Sequence, residues 1–114
     1  MTSYQFRPGD IVLVNLNKDK SSVIISKKRP AIIVSNNDTT RTSSLLHVVP
    51  LTTSLSKHYS PTHVKFKRNN IQNIALCEQI TAVSSNELET TNDWVSGTVL
   101  NKIKTGIRTV FDIN

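Results

Sequence analysis

Hydrophobic and polar positions alternate in short segments along most of the chain. Such alternation predicts half-buried β-strands, and an apolar, β-branched run of similar length predicts a buried strand. Five segments have one of these two patterns: 9–16, 29–36, 43–53, 62–66 and 73–83. The last of them is apolar enough to be predicted as a single central strand.

The period changes near the C-terminus, where apolar residues recur at helical spacing. They form one face of an amphipathic helix, made of Val99, Leu100, Ile103, Ile107, Val110 and Phe111. Ser96 is a suitable N-cap, whereas Gly97 and Gly106 weaken the helix, so its stability must come from docking on the sheet. Strands followed by one helix, without βαβ alternation, predict a small antiparallel barrel with the helix packed against it, in a single domain spanning 1–114.

A polar segment, 17–28, separates the first two strands, and a short apolar stretch at 23–25 suggests a hairpin tip within it. Loops of this length in small domains are often functional. Basic residues cluster in and beside this loop and again in 57–68 and 102–108, and the formal net charge is +6. The excess favours a polyanionic partner such as nucleic acid. Aromatic residues make up only 5% of the chain, so base stacking is not the obvious binding mode.

Several chemistries find no support in the sequence. The single cysteine, Cys77, excludes an intramolecular disulfide, and its apolar setting predicts a buried thiol. His47, His58 and His63 are scattered without the spacing of a metal site, and no phosphate-binding loop, dinucleotide fingerprint or nucleophile elbow is present. We therefore expect neither a metal nor a cofactor. No apolar signal core or membrane-spanning run is found, so we expect a cytoplasmic location.

Five motifs together resemble those of the MazF/PemK toxins of bacterial toxin–antitoxin pairs. In chain order they are RPGDIVLVNL, KKRPAIIVSNND, HVVPLTTS, PTHV and ALCEQITAVSSNEL, followed by the helix. No single motif is decisive, but their order and spacing match from about residue 6 to residue 112. The resemblance implies an SH3-like barrel, a homodimer, and a metal-independent endoribonuclease that cuts single-stranded mRNA at a short sequence.

The resemblance also implies which residues are catalytic. Arg29 matches the arginine of the family's R-P pair, and Thr52 matches the threonine that ends its P-L-T strand. A guanidinium fork and a hydroxyl can stabilise the charge that develops on the phosphate when the neighbouring 2′-hydroxyl attacks it. The expected products are a 2′,3′-cyclic phosphate and a 5′-hydroxyl. Since arginine is a poor general base, the base is Glu78, His63 or none, with the 2′-hydroxyl merely oriented.

RNA contacts are expected in the 17–28 loop and beside the catalytic positions. The candidates are Lys20, Ser21, Ser22, Lys27, Lys28, Thr53, His63 and Gln79. Thr53 is also the alternative to Thr52 as the functional threonine. The chain departs from the family in two places: its 17–28 loop contains no glycine, and Thr81 stands where many relatives have arginine. These departures bear on the loop conformation and the recognised sequence, and leave Arg29 and Thr52 in place.

Two other functions stay open at this point. CcdB-like toxins have the same barrel but poison DNA gyrase by binding it, which requires no arginine beside a threonine. A relative that binds RNA or its antitoxin without cutting is the second alternative. For the nuclease we expect a cognate antitoxin with an acidic, partly disordered segment that becomes ordered on the basic groove.

Overall fold

Seven short strands pair antiparallel into one curled sheet, and a helix packs on it. The computed structural model describes residues 6–16, 28–36, 44–54 and 60–113. The elements are β1 (Asp10–Val14), β2 (Arg29–Ile33), β3 (Leu45–Thr52), β4 (His63–Arg68), β5 (Ile71–Leu76), β6 (Thr81–Ser84), β7 (Glu89–Trp94) and α1 (Gly97–Val110). The sheet order is β4–β5–β3–β2–β1–β7, and β6 pairs with β3 outside this path. The predicted fold class, a mainly β domain with a small antiparallel barrel and a C-terminal helix packed on it, is confirmed, and the sheet curls as a half-barrel.

The prediction of one central strand over 73–83 is wrong. A 3₁₀ turn, Cys77–Gln79, separates β5 from β6. The two strands pair with different parts of β3: Ala75 lies opposite Leu51, whereas Ala82 lies opposite His47. Apolar residues stand on both sides of the polar pair Glu78 and Gln79, and periodicity alone does not reveal that the chain changes its sheet partner there.

The strand β7 was not predicted, because its sequence, ETTNDW, is polar and lacks alternation. It pairs with β1 around an irregularity in which Thr91 and Asn92 have no partner in the ladder. The Thr91 hydroxyl donates a 2.6 Å hydrogen bond to the carbonyl of Ile11 there, and Asn92 has a positive φ of 60°. Tertiary pairing with β1 therefore overrides the weak strand propensity of this segment.

Side chains alternate between two faces of the sheet, and each face has its own buried cluster. What we call the inner face holds Phe6, Val12, Val14, Ala31, Ile33, Leu46, Val48 and Val83. The opposite face, which we call the helix face, holds Ile11, Ile32, Val49, Leu51, Val64, Ala75 and Cys77, together with Ile103 of α1. The predicted burial of the β2 strand and of the Cys77 thiol is confirmed.

The helix begins and packs as predicted, except at its end. The Ser96 hydroxyl accepts a hydrogen bond from the Val99 amide at 3.2 Å, which caps the first turn. Ile103 is fully buried, and Val99, Ile107 and Val110 pack against the helix-face cluster. Phe111 does not widen the stripe, because it follows the last helical turn and is 56% exposed. In the described part of the chain, no helix has the length and apolar content needed to cross a membrane.

The two edge strands, β4 and β7, are joined on the helix face by an ion pair. The Nε of Arg68 donates to Oδ2 of Asp93 at 2.7 Å, and this hydrogen bond holds the pKa of the Asp93 carboxyl below its ordinary value. The adjacent turn places both Asn69 and Asn70 at positive φ, as a two-residue type I′ hairpin requires. This turn sets the register of β4 on β5, with His63 opposite Leu76.

We expect Gly106→Ala to destabilise the protein although alanine is the better helix former. A Cβ at position 106 would lie 2.8 Å from Sγ of Cys77 and 3.0 Å from the carbonyl oxygen of Thr62. We expect a loss of about 1–3 kcal/mol in the free energy of unfolding, measured by denaturant titration. The matched control is Gly97→Ala, since a Cβ there meets nothing within 4 Å. Equal stability of the two variants would contradict close packing of α1 on the 3₁₀ turn.

Candidate active site

Arg29 and Thr52 stand at the adjoining ends of two central strands. The register of β2 on β3 places Ala31 opposite Pro50 and Ile33 opposite Val48. Continued by two residues, the same register places Arg29 across from Thr52. Residues directly opposite in an antiparallel pair project from the same face, and neighbouring strands lie about 4.8 Å apart. The two side chains can therefore contact one phosphate group together.

The surroundings of this pair leave both groups able to bind an anion. Arg29 is exposed, and among the described residues no carboxylate lies within ion-pair distance of it. The hydroxyl of Thr52 accepts a hydrogen bond from the Ser54 amide at 3.0 Å, so its own proton is available for donation. Lys28, beside Arg29, forms an exposed ion pair with Glu89 at 3.3 Å.

A second polar group lies at the start of β4. The Nε2 of His63 is 2.9 Å from Oε2 of Glu78, and the Thr62 hydroxyl donates to Oε1 of Glu78 at 3.3 Å. Because an ionised carboxylate only accepts hydrogen bonds, the imidazole is the donor. Because the single hydroxyl proton of Thr62 is used in the hydrogen bond to Glu78, the Ser60 hydroxyl is the donor in its 2.8 Å hydrogen bond with the Thr62 hydroxyl. The Glu78 carboxylate is thus held by donors on both oxygens.

These donors determine the charge of Glu78. Burial by itself would raise the pKa of the Glu78 carboxyl, but the hydrogen bonds from His63, a backbone amide and Thr62, together with charge on His63, bring the pKa below its ordinary value. The carboxylate is therefore ionised at neutral pH. The side chain of Glu78 is 39% exposed and that of His63 only 12%, so the carboxylate remains accessible from solvent.

The Arg29–Thr52 pair and the His63–Glu78 pair lie on the same side of the sheet. Thr52 lies opposite Ile74 of β5, and His63 lies opposite Leu76, two residues further along the same strand. Since side chains two residues apart in a strand point the same way, His63 is on the inner face with Arg29 and Thr52. Tertiary pairing thus collects four sequence-predicted positions, Arg29, Thr52, His63 and Glu78, on one side of the molecule.

The other predicted site residues fall into two groups. Thr53 and Gln79 are exposed next to Thr52 and Glu78, and Lys28 is exposed next to Arg29. Lys20, Ser21, Ser22 and Lys27, with the predicted hairpin tip, lie outside the described residues. Sequence reasoning missed Thr62 as a partner of Glu78, Ser60 as a partner of Thr62, and Glu89 as a partner of Lys28. Only the threonine of the PTHV motif could have indicated one of them.

Solved structures similar to this one include MazF proteins and endoribonucleases. One is a mycobacterial endoribonuclease in complex with its cognate antitoxin (22% identity, 98% of each chain covered, TM-score 0.76). MazF from Deinococcus radiodurans has 18% identity over 97% of this chain and 100% of its own, with a TM-score of 0.78. A MazE–MazF complex from the same organism has 16% identity over 97% and 100%, with a TM-score of 0.78. At these identities the likeness shows the fold alone.

The sequence itself identifies the family. The family model described as PemK-like, MazF-like toxin of type II toxin–antitoxin system matches residues 7–111. The chain belongs to this family of toxins, as its motifs indicated. A search of curated proteins gives no match.

We expect the stabilising effect of Glu78 to depend on pH in a defined direction. Because the pKa of Glu78 is lowered by folding, its contribution is present above the ordinary carboxyl pKa of about 4.3 and is lost as the pH falls through the folded value. Glu78→Gln should therefore lower the free energy of unfolding by no more than about 1 kcal/mol near neutral pH, given the exposure of the carboxylate, and by less as the pH falls below the ordinary carboxyl pKa.

Denaturant titrations of wild type and Glu78→Gln across this range measure the difference. The comparison is repeated in a His63→Gln background. There the difference in the free energy of unfolding should change less with pH, because a main donor to the carboxylate is gone. A difference independent of pH in the wild-type background would contradict the lowered pKa.

Proposed function

We propose that this protein is a sequence-specific, metal-independent endoribonuclease toxin that cleaves single-stranded mRNA. The observation that carries the proposal is the continuation of the β2–β3 register, which sets the exposed Arg29 across from Thr52. Membership of the toxin family and the description of structural neighbours as endoribonucleases support it. A toxin that acts by binding gyrase does not require an arginine beside a threonine.

Arg29 and Thr52 stabilise the pentacoordinate phosphate. The 2′-oxygen of the preceding ribose forms a bond to phosphorus and the bond from phosphorus to the 5′-oxygen breaks. The leaving 5′-oxygen takes a proton from solvent, so a 2′,3′-cyclic phosphate and a 5′-hydroxyl result. The Arg29 guanidinium offers a planar fork of donors to the non-bridging oxygens, and the Thr52 hydroxyl adds another donor. Donors set in place before reaction typically contribute about 10²–10³ in rate each.

The proton from the 2′-hydroxyl goes to the Glu78–His63 pair, with Glu78 as the acceptor. An ionised carboxylate at neutral pH can accept a proton, and its lowered pKa follows from the donors around it. Thr62 and His63 hold the carboxylate in one orientation. The remaining RNA contacts come from Lys28, Thr53, Gln79 and the 17–28 loop.

The biological setting follows from the family. The chain acts as one toxin domain, in the cytoplasm, as a homodimer, and a cognate antitoxin inhibits it by laying an acidic segment over the basic surface. A mycobacterial endoribonuclease and Deinococcus MazF have been solved with an antitoxin or with MazE, which supports this assignment of a partner. The net charge of +6 suits both RNA and an acidic peptide.

Arg29→Ala should slow cleavage strongly. We expect a rate loss of about 10²–10³ because the developing phosphate charge loses its main donor. Purified protein is incubated with a long single-stranded RNA in excess EDTA, and primer extension maps the breaks. Cuts at one recurring short motif that vanish in Arg29→Ala are the expected result. Arg108→Ala is the control, since it removes an equal charge from the exposed side of α1.

Intact RNA, under conditions where the wild-type protein arrests growth, would overturn the nuclease assignment and make gyrase the next target to test. Growth arrest that survives Arg29→Ala would have the same meaning. Cleavage that survives only in buffers containing divalent cations would contradict metal independence.

The variant Glu78→Gln tests whether the carboxylate accepts the proton from the 2′-hydroxyl or has no part in proton transfer. If Glu78 accepts the proton, the variant loses activity and the acidic limb of the pH–rate profile disappears, because that limb reports ionisation of the base. Rates are measured at saturating RNA so that binding does not contribute. A rate and pH profile identical to wild type would show that Glu78 is not the base.

A further inference from the structure

Two lysines on the edge strand β4 project from the same face as Arg29. In β4, Val64 and Phe66 pack into the helix-face cluster, so the alternating positions Lys65 and Lys67 are on the inner face, and both are exposed. Nothing in the toxin motifs points to these positions, since they follow the PTHV motif and precede the turn. Their placement comes from the pleat of the sheet.

Strand register aligns these lysines with the candidate catalytic residues. Lys65 lies opposite Ile74, and Ile74 lies opposite Thr52, across from which the β2–β3 register continues to Arg29. Lys67 lies opposite Gln72, one step further toward the hairpin. Three strand spacings separate Lys65 from Arg29, which is roughly 14 Å along the sheet. A row of side chains on one face thus leads from the candidate site to the edge.

The charges of Lys65 and Lys67 are not paired with a carboxylate in the described part of the chain. Arg68, next in sequence but on the helix face, is paired with Asp93, and Lys28 is paired with Glu89. Among the described residues no carboxylate lies within ion-pair distance of Lys65 or Lys67. Lys65 and Lys67 lie two residues apart in the strand, about 7 Å along the chain, so their like charges repel each other at a cost in free energy. An anion bound between them would remove that cost.

We propose that Lys65 and Lys67, with the amide of Gln72, form a phosphate-binding track for single-stranded RNA beyond the cut site. The inference rests on the proposed nuclease function. Their separation along the strand is close to that of consecutive phosphates in an extended nucleic acid strand, so each lysine contacts one phosphate. At roughly 14 Å from Arg29, the first contact is about two nucleotides from the scissile phosphate. The track positions RNA and takes no part in the chemistry.

The test compares RNA binding by wild type, Lys65→Ala/Lys67→Ala and Lys102→Ala/Lys104→Ala. The last variant loses the same charge from exposed positions of α1, on the other side of the sheet. The probe is a short single-stranded RNA that contains the mapped cut site, with a 2′-deoxy nucleotide to prevent cleavage. Affinity is measured over a range of salt concentrations, and thermal unfolding confirms that each variant is folded.

Each lysine–phosphate contact contributes about 0.7 to the slope of log affinity against log salt for single strands. We expect the β4 variant to have a slope shallower by about 1.4 and an affinity about tenfold weaker near physiological salt. Cleavage of unmodified RNA should show a raised KM with kcat unchanged. The α1 variant should bind and cut as wild type does.

The outcomes distinguish failure of the phosphate-binding track from failure of the proposed nuclease function. If wild type cuts RNA but the β4 variant has the wild-type slope and KM, the track is refuted and the nuclease function stands. An equal change in the α1 variant would refute it too, because the effect would then be one of net charge. If wild type neither binds nor cuts RNA, the proposed function fails and this inference fails with it.

Discussion

The antiparallel register between β2 and β3 is the constraint on which the candidate site depends. It buries Ala31, Ile33 and Val48 in the inner-face cluster, and its continuation sets Arg29 across from Thr52. A slip by one residue would turn Arg29 to the helix face and exchange the apolar side chains of β2 between the two buried clusters. The burial that stabilises the sheet therefore also positions the two polar groups, without any dedicated contact between them.

The packing of α1 on the sheet also affects the position of the Glu78–His63 pair, through one buried turn. Cys77 is fully buried against Gly106, and its thiol donates weakly to the carbonyl of Ile103 at 3.7 Å. Burial raises the pKa of this thiol to about 11, so it stays protonated and acts as a packing group. The next residue in the same 3₁₀ turn is Glu78, which faces His63. Helix packing and carboxylate placement are consequently parts of one arrangement.

Sequence patterns predicted those elements whose apolar positions form a clear local pattern. The stripe of α1 and the β-branched run of β2 are of this kind, and both are confirmed. The errors occurred where tertiary pairing overrode local preference. The segment 73–83 changes partners along β3, β7 is polar but pairs with β1, and Phe111 has the right spacing but lies past the helix end. Periodicity contains no information on which strand lies beside which.

By itself, the sequence determined the chemistry available to this protein: a basic domain with an R-P pair, a P-L-T strand and an E-Q-I element, and thus a member of the PemK-like, MazF-like toxins. Only the tertiary structure decided which of these groups meet. The pairing of Glu78 with His63, the closure of the sheet edges by Arg68 and Asp93, and the row from Arg29 to Lys65 all join residues distant in the chain. Such contacts arise from strand order and register. Local patterns do not encode them, because the alternation of apolar and polar residues within a strand does not specify which strand lies beside it.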